Sequence, residues 1–328
     1  MENPPEALRE TNKDKISKYC HGILSRAKDK LKQNDFLFVT LPNLKENIIY
    51  IFNILSGYSL ERKKFYKKLG YDLDLKNPKS FNQKIVWKKI NDRNPLLPVT
   101  ADKYRVRDYI KETLGEEKAK EILIPLLHVT DKPETIPFDK LPNEYVIKPT
   151  HASQRVIIVQ NNNYNKEEII KKCARWLKTP YGLADNEWAY QKIPRKIIIE
   201  ELLRDDAGNV PTEFKFLMFH GKCRLVRVLT NQLNDLKVNH YTDDFKPVMI
   251  EYGYYKRAVS FLEKPPNYDQ MLKLAERLSV NFDFLRVDLY STGKKIYFGE
   301  LTHYSGSGLL KYEPRSFDFE LGSYWNLT

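Results

Sequence analysis

Residues 284–302 read FLRVDLYSTGKKIYFGELT, two apolar-alternating arms around a Ser291-Thr292-Gly293 turn. Alternation of this kind over a tight turn is a β-hairpin signature. Leu285, Val287 and Leu289 fall on one face, and Arg286, Asp288 and Tyr290 on the other. On the returning arm Ile296, Phe298 and Glu300 are expected to share a face. Asp288 and Glu300 then lie near each other toward the open end. Two facing carboxylates repel unless something positive sits between them. Hard oxygen ligands on rigid strands suit Mg²⁺, with phosphate oxygens completing the octahedron. A salt bridge from one of the pair to Arg286 or Lys295 accounts for the pattern equally simply.

The rest of the chain fixes the class around this hairpin. TEFKFLMFHGKCRLVRVLT (212–230) is a second hairpin turning at His220-Gly221. EYVIKPT and RVIIVQ are strands joined by THASQ, ILIPLLHV is a short strand, and KIIIEELL is a strand running into acid. Between them lie helical stretches: NPKSFNQKIVWKKINDRNP, capped near Ser80 and stopped at Asn94-Pro95; TADKYRVRDYIKETLG; KEEIIKKCARWLK; and PNYDQMLKLAERLSV. Helices alternating with antiparallel hairpins predict an α+β fold and not a βαβ repeat. Ahead of these, Ile16–Lys32, Leu44–Leu60 and the charged stretch ending at Gly70 predict a helical N-terminal layer.

Length and charge narrow the function classes. The 328 residues suffice for two domains. A net charge of +12 favours anionic company: phosphates, nucleic acid, acidic lipid or an acidic polymer. Cys20, Cys173 and Cys223 are scattered, so neither a zinc knuckle nor a disulfide scaffold is expected. The N-terminus is polar and the run Ile48–Leu55 is too short to span a bilayer. These features predict a cytoplasmic protein with room for peripheral contact at the inner face of the membrane.

Other charged positions recur at strand ends. Lys148 closes an apolar strand before Pro149, where its ammonium needs an anion or snorkels to water. THASQ offers small polar groups to a phosphate, or is an ordinary turn. IIIEELL suits a connector edge whose backbone reads a flat base, or an edge strand blunted by charge. Glu213 and Lys215 share a strand face, as site groups or as an exposed ion pair. Asp243-Asp244 in TDDFKPV and the tail LTHYSGSGLLKYEP, with Gly306 and Gly308, are candidates for the substrate side, the tail as a flexible loop or a plain connector.

Each signal is modest, but their order is specific: Lys103 on an opening helix, Lys148 on a strand, EELL, EFK, then RVD and GE on a hairpin. With NPKSFNQKIVWKKINDRNP and TADKYRVRDYI, this order resembles the ATP-grasp superfamily, in particular its TupA-like, teichuronopeptide-biosynthesis branch, over about residues 75–325. The resemblance implies two α+β lobes with antiparallel sheets gripping ATP, behind a helical extension. The corresponding divisions are 1–75 for the extension, 76–145 for the N-terminal and linker part, 146–205 for the small nucleotide-covering lobe and 206–328 for the ATP/Mg lobe.

It further implies that Lys103 and Lys148 contact the ATP phosphates, Lys148 also near the adenine cleft, and that Ser153 covers the phosphates. Glu200, Glu201 and Leu202 would lie along the adenine edge, Glu213 near the ribose and Lys215 near the cleft or substrate. Asp288 and Glu300 would hold Mg²⁺, and Arg286 would stabilise the transferred phosphoryl group or acyl-phosphate. The chain departs from the pattern in two places. Its loop reads HASQ where relatives are richer in glycine, leaving His151 as a phosphate donor or as turn filler, and Thr302 stands where many carry a metal-binding Asn.

The implied activity is carboxylate–amine ligation through an acyl-phosphate, on a sugar acid or amino acid in surface-polysaccharide assembly, with a glycan or lipid-linked glycan as the larger partner. Two other readings stand beside it. A nucleotide-sugar-dependent transferase would use Asp288 or Asp243-Asp244 as metal ligands. A nucleic-acid-binding protein would draw on the basic charge and 21 tyrosines, without any recognised binding signature.

Overall fold

The computed structural model describes residues 35–230 and 235–327. Its chain divides into two compact units, residues 1–45 and 46–328. The expected helix over Ile16–Lys32, and Cys20, lie outside the described residues. No helix among the described residues is long and apolar enough to cross a membrane.

The described chain opens with α1 (Asp35–Leu55) and α2 (Ser59–Leu69). One continuous helix over Leu44–Leu60 was the expectation; instead Gly57 and Tyr58 both take left-handed backbone and break it. Gly70 ends α2 in the same conformation, its N–H bonded to the Tyr66 carbonyl. α3 (Phe81–Asn91) starts at Ser80 with a capping box: the Ser80 side chain accepts from the Gln83 N–H while the Gln83 side chain accepts from the Ser80 N–H. α4 (Leu96–Thr100), α5 (Val106–Leu114) and α6 (Glu116–Ile122) follow. Lys103, expected on an opening helix, lies in the turn between α4 and α5, because the Asp102 carboxylate bonds the Tyr104 and Arg105 N–H groups.

A four-stranded sheet is built from β1 (Leu126–Thr130), β2 (Tyr145–Pro149), β3 (Ile157–Val159) and β4 (Ile197–Glu201), in the order β1-β4-β2-β3. The IIIEELL strand is therefore interior rather than an edge. Tyr145, Ile147, Ile197 and Ile199 bury one sheet face with Ile169, Cys173 and Trp176 of α7 (Lys166–Lys178). The opposite face carries Lys148 and Glu200. The short helix α8 (Trp188–Gln191) precedes β4.

A six-stranded antiparallel sheet, ordered β11-β10-β5-β6-β7-β8, contains both sequence hairpins. Its strands are β5 (Thr212–Phe219), β6 (Lys222–Thr230), β7 (Lys237–Tyr241), β8 (Pro247–Val248), β10 (Phe284–Ser291) and β11 (Ile296–Thr302). Phe214, Phe216, Met218, Leu285, Val287 and Leu289 form its core face with Met271, Leu274 and Leu278 of α9 (Tyr268–Ser279). Burial of this continuous apolar layer, worth roughly 25 cal/mol per Å² of surface removed from water, stabilises the six-stranded lobe.

The β10–β11 hairpin departs from simple alternation. Leu289 pairs with Phe298 and Asp288 with Glu300, so Gly299 is a bulged residue. Phe298 accordingly joins the buried core, while Glu300 faces Asp288; the expected shared face of Phe298 and Glu300 is lost. A Cβ at Gly299 would stand 3.0 Å from the Asp288 carbonyl oxygen, so the bulge admits little else.

β9 (Glu251–Tyr252) pairs with β12 (Tyr312–Glu313), and α10 (Ser316–Ser323) closes the chain. Asp318 on α10 accepts from the Asn82 N–H at 3.0 Å and from the Tyr71 hydroxyl at 2.5 Å, tying α10 to the start of α3. A Cβ on Gly322 would lie 2.0 Å from the Lys79 carbonyl oxygen and 2.8 Å from the Phe81 nitrogen. Both obstacles are backbone, so Gly322→Ala is expected to cost about 1–3 kcal/mol, read as a lower denaturant midpoint at unchanged slope. An unchanged midpoint would contradict this close approach.

Candidate active site

The polar faces of the two sheets line one cleft of about 620 Å³, within the range of ligand sites. Lys148, Ser153 and Glu200 come from the four-stranded lobe; Glu213, Lys215, Arg286 and Glu300 come from the six-stranded lobe, with Lys103 from the α4–α5 turn.

Register explains the convergence. The pairings Glu300–Asp288, Asp288–Lys215, Lys215–Arg227 and Arg227–His240 draw one polar row across five strands. Asp288 is fully buried, and it accepts from Arg286 Nε at 2.7 Å and from Arg286 Nη2 at 2.6 Å. Lys215 Nζ reaches the same carboxylate at 2.7 Å and Glu213 at 3.0 Å. The Arg286 Nη2 also reaches Glu300 at 2.9 Å, so a single cationic nitrogen lies between the two carboxylates. Lys103 Nζ stands 3.3 Å from the other Glu300 oxygen. Three carboxylates and three cations thus balance in this cluster.

The electrostatics follow from that packing. Burial opposes ionisation of Glu300, but Lys103, Arg286 and Lys215 overcome it and hold its carboxyl well below the usual range. Burial pushes the Glu213 carboxyl up, against Lys215. For Lys215, burial disfavours the ammonium, yet Asp288 and Glu213 raise its pKa. Every one of these groups is set by its neighbours rather than by water.

Lys148 Nζ reaches Glu200 at 3.1 Å, and Arg107 Nη1 reaches the second Glu200 oxygen at 3.5 Å. Ser153 Oγ is bonded to the Tyr181 hydroxyl. Glu201 ends β4 with an exposed side chain and Leu202 follows half-buried; neither lines the cleft. The Glu201 N–H is taken by the Pro125 carbonyl at 3.2 Å. His151 is buried outside the cleft, and burial, with Arg195 and Arg155 nearby, lowers its pKa to about 4. It fills the turn as a neutral ring. Asp243-Asp244 form an exposed turn, with Asp244 paired to Lys246 at 2.6 Å, and do not line the cleft. Gly306 lines the cleft inside a tight turn; a Cβ there would lie 2.7 Å from Leu310. Gly306 takes left-handed backbone with φ 58°, a conformation that favours glycine in this turn.

Several cleft residues carry no sequence signal. Arg107, Arg155, Tyr190 and Arg227 are lone residues in ordinary amphipathic stretches, assembled only by tertiary contact. Glu187 is another: burial pushes its carboxyl up to about 7, against Lys89. Its folded pKa lies above the ordinary 4.5, so its contribution to stability is fully present below that value and lost as pH rises through about 7. Glu187→Gln should therefore gain roughly 3 kcal/mol relative to the parent between about pH 4 and about pH 8. Parallel stability–pH curves for the two proteins would contradict it.

Among the described residues no three His, Cys, Asp or Glu side chains gather as a metal site. The chain itself offers a pair, Asp288 and Glu300, with a cation already between them. Two carboxylates plus phosphate oxygens is a set that Mg²⁺ accepts. Thr302 Oγ1 donates to Glu300 at 3.1 Å, so position 302 orients that carboxylate.

Two lobes of antiparallel sheet closing on a cleft, one supplying a lysine and a carboxylate and the other a carboxylate–cation row, define a nucleotide-gripping fold. The profile of the TupA-like ATP-grasp family matches residues 83–326, and the chain belongs to that family. Its fold is the ATP-grasp fold. A search of curated proteins returned no significant match. Among solved structures, D-alanine–D-alanine ligase from Bacillus anthracis complexed with ATP is 16% identical, with 62% of this chain and 55% of that chain covered and a TM-score of 0.36. The ATP-grasp ligase PsnB with its minimal precursor is 11% identical over 70% and 61%, TM-score 0.40. D-cycloserine synthetase DcsG is 17% identical over 70% and 71%, TM-score 0.38. The chain spans 55% and 61% of the length of the first two. The assignment rests on the family profile and not on these distant likenesses.

Proposed function

We propose that the protein is an ATP-dependent carboxylate–amine ligase working through an acyl-phosphate, with ATP and Mg²⁺ in the cleft. The observation that carries the reading is the Arg286–Asp288–Lys215–Glu300 cluster on the polar face of β5, β10 and β11. Asp288 and Glu300 would hold the Mg²⁺, which neutralises phosphate charge when bound. With the metal held there, Arg286, Lys215 and Lys103, now paired to these carboxylates, would be the cations available to phosphate oxygens. Lys148 faces the same space from the opposite sheet and would grip the nucleotide.

The γ-phosphoryl group passes from ATP to a carboxylate oxygen of the acid substrate and ADP leaves. The amine nitrogen then attacks the acyl carbon, phosphate departs, and the nitrogen gives up a proton. Positioning and charge neutralisation supply most of the acceleration for such a transfer. The finer reading, a sugar acid or amino acid in surface-polysaccharide assembly, comes with the teichuronopeptide resemblance. The net charge of +12 suits an acidic glycan and contact with an anionic inner membrane face, from the cytoplasmic side.

Hydroxylamine tests the chemistry without knowing the natural amine, because it traps acyl-phosphates as hydroxamates. With Mg·ATP and a panel of sugar acids and amino acids, ADP and hydroxamate should form in equal amounts. AMP release, or ADP without hydroxamate for every acid, would contradict the ligase reading. Lys148→Ala should weaken Mg·ATP binding roughly ten- to a hundredfold, as expected for one charge-assisted contact. Unchanged affinity in a calorimetric titration would remove Lys148 from the site.

A further inference from the structure

The polar row does not stop at the carboxylate–cation cluster. Beyond Lys215 it continues to Arg227 on β6 and His240 on β7. Arg227 is 4% exposed and lines the cleft. Among the described residues it forms no ion pair, unlike Arg286 and Lys215 beside it. Its Nε–H donates to His240 Nε2 at 3.3 Å, and its Nη2 donates to the Tyr312 hydroxyl at 3.2 Å. Its guanidinium carbon lies 3.5 Å from the Tyr252 ring centroid. Burial, with Arg227 adjacent, holds the His240 pKa well below its ordinary value, so that ring is a neutral acceptor.

A buried guanidinium held only by neutral acceptors and an aromatic face is unusual, because burial of a charge is costly without a counter-charge. Two neutral hydrogen bonds and a cation–π contact fix its orientation but leave its charge unbalanced. The wall next to it is aromatic: Tyr252 stacks on Tyr255 at 5.9 Å, and Tyr255 on Tyr254 at 4.6 Å. Arg227 lies two strands from Asp288, about 10 Å at the usual strand spacing. Arg227 is therefore clear of the Asp288–Glu300 pair that the proposed function gives to Mg²⁺, and still lines the same cleft.

We propose that Arg227, clamped by Tyr252, His240 and Tyr312, is an anion-recognition subsite that selects an acid substrate carrying a second anionic group besides the carboxylate that is activated. This rests on the ligase reading above and adds a substrate class to it. Arg227 presents a fixed fork that a carboxylate meets with two parallel hydrogen bonds. The tyrosine wall covers the apolar length between the two acidic ends of the substrate.

The probes are glutarate and butyrate, which share a four-carbon chain length at the reactive end and differ by one carboxylate. Each is titrated into the full-length protein saturated with Mg²⁺ and a non-hydrolysable ATP analogue. Glutarate should bind roughly ten- to a hundredfold tighter than butyrate, the worth of one charge-assisted hydrogen-bonded pair. Arg227→Gln should erase that preference while its affinity for the Mg-bound analogue stays within about twofold. Arg227→Lys, which keeps the charge and loses the fork, should retain a part of the preference and serves if the Gln variant does not fold. Equal affinities for the two acids in the parent protein, or a preference surviving in Arg227→Gln, would overturn the subsite with nucleotide binding intact. Absence of nucleotide binding in the parent would instead bring down the ligase reading itself, and the subsite with it.

Discussion

Asp288→Asn is expected to lose Mg·ATP-dependent turnover and about 3–5 kcal/mol of stability together. Asp288 is fully buried, and three cationic hydrogen bonds end on its two oxygens. An amide cannot accept from all of them, and its own NH₂ would point at Arg286 or Lys215. Both cations would then be buried without their counter-charge, which is the expensive way to break an internal ion pair. Glu300→Gln should abolish turnover with a smaller stability loss, because that side chain is 32% exposed and water can replace the missing charge. The pair of variants separates the two contributions: denaturant midpoints report stability, and ADP release below both melting points reports chemistry. Full turnover in either variant would remove that residue from the proposed metal site. An unchanged midpoint for Asp288→Asn would contradict the charge cluster.

Lys89→Ala is expected to be as damaging, although it lies outside the proposed chemistry. Lys89 is 0% exposed, and its ammonium reaches Glu61 at 2.8 Å and the Ser307 carbonyl at 3.0 Å. This contact ties α3 to α2 and to the turn that carries Gly306 into the cleft. Removing the lysine leaves Glu61, itself 2% exposed, as a buried charge without its cation, a loss of about 3–5 kcal/mol. The double replacement Lys89→Met with Glu61→Leu should recover most of it, since a packed apolar pair of similar volume avoids both desolvations. Denaturant titrations of Lys89→Met, Glu61→Leu and the double form a cycle. A Lys89→Ala midpoint within about 0.5 kcal/mol of the parent would contradict the buried pair.

Lys88 and Lys89 also show where the sequence is silent. In WKKIN nothing local marks two adjacent lysines as buried, yet both are, because Asp283 and Glu61 converge on them from elsewhere, with Asp92 adding a local i,i+4 partner to Lys88. Long-range charge partners leave no local periodicity. Local rules did carry the elements whose cause is local: the Ser80 capping box, the α7 stretch KEEIIKKCARWLK and the His220-Gly221 turn all lie where propensity and capping place them. The β10–β11 hairpin was legible as a hairpin, but its bulge was not, because Gly299 acts through close contact with the Asp288 carbonyl. The IIIEELL strand was read as a candidate edge since charge at its end is an edge signal; in the fold Glu200 is balanced by Lys148 and Arg107, and the strand sits inside the sheet. In the site, Lys103, Lys148, Ser153, Glu200, Glu213, Lys215, Arg286 and Glu300 line one cleft, with Asp288 buried against them. The lone Arg227 and Glu187 became visible only once their surroundings were.

Mg·ATP binding to the cleft is the central claim, and a thermal-shift titration tests it most directly. A ligand that binds only the folded state raises the melting temperature by mass action. The melting temperature should rise with Mg·ATP, fall back on adding a chelator, and stay unmoved by a panel of UDP-sugars. A rise with a UDP-sugar, or no rise with Mg·ATP at millimolar concentration, would contradict the account.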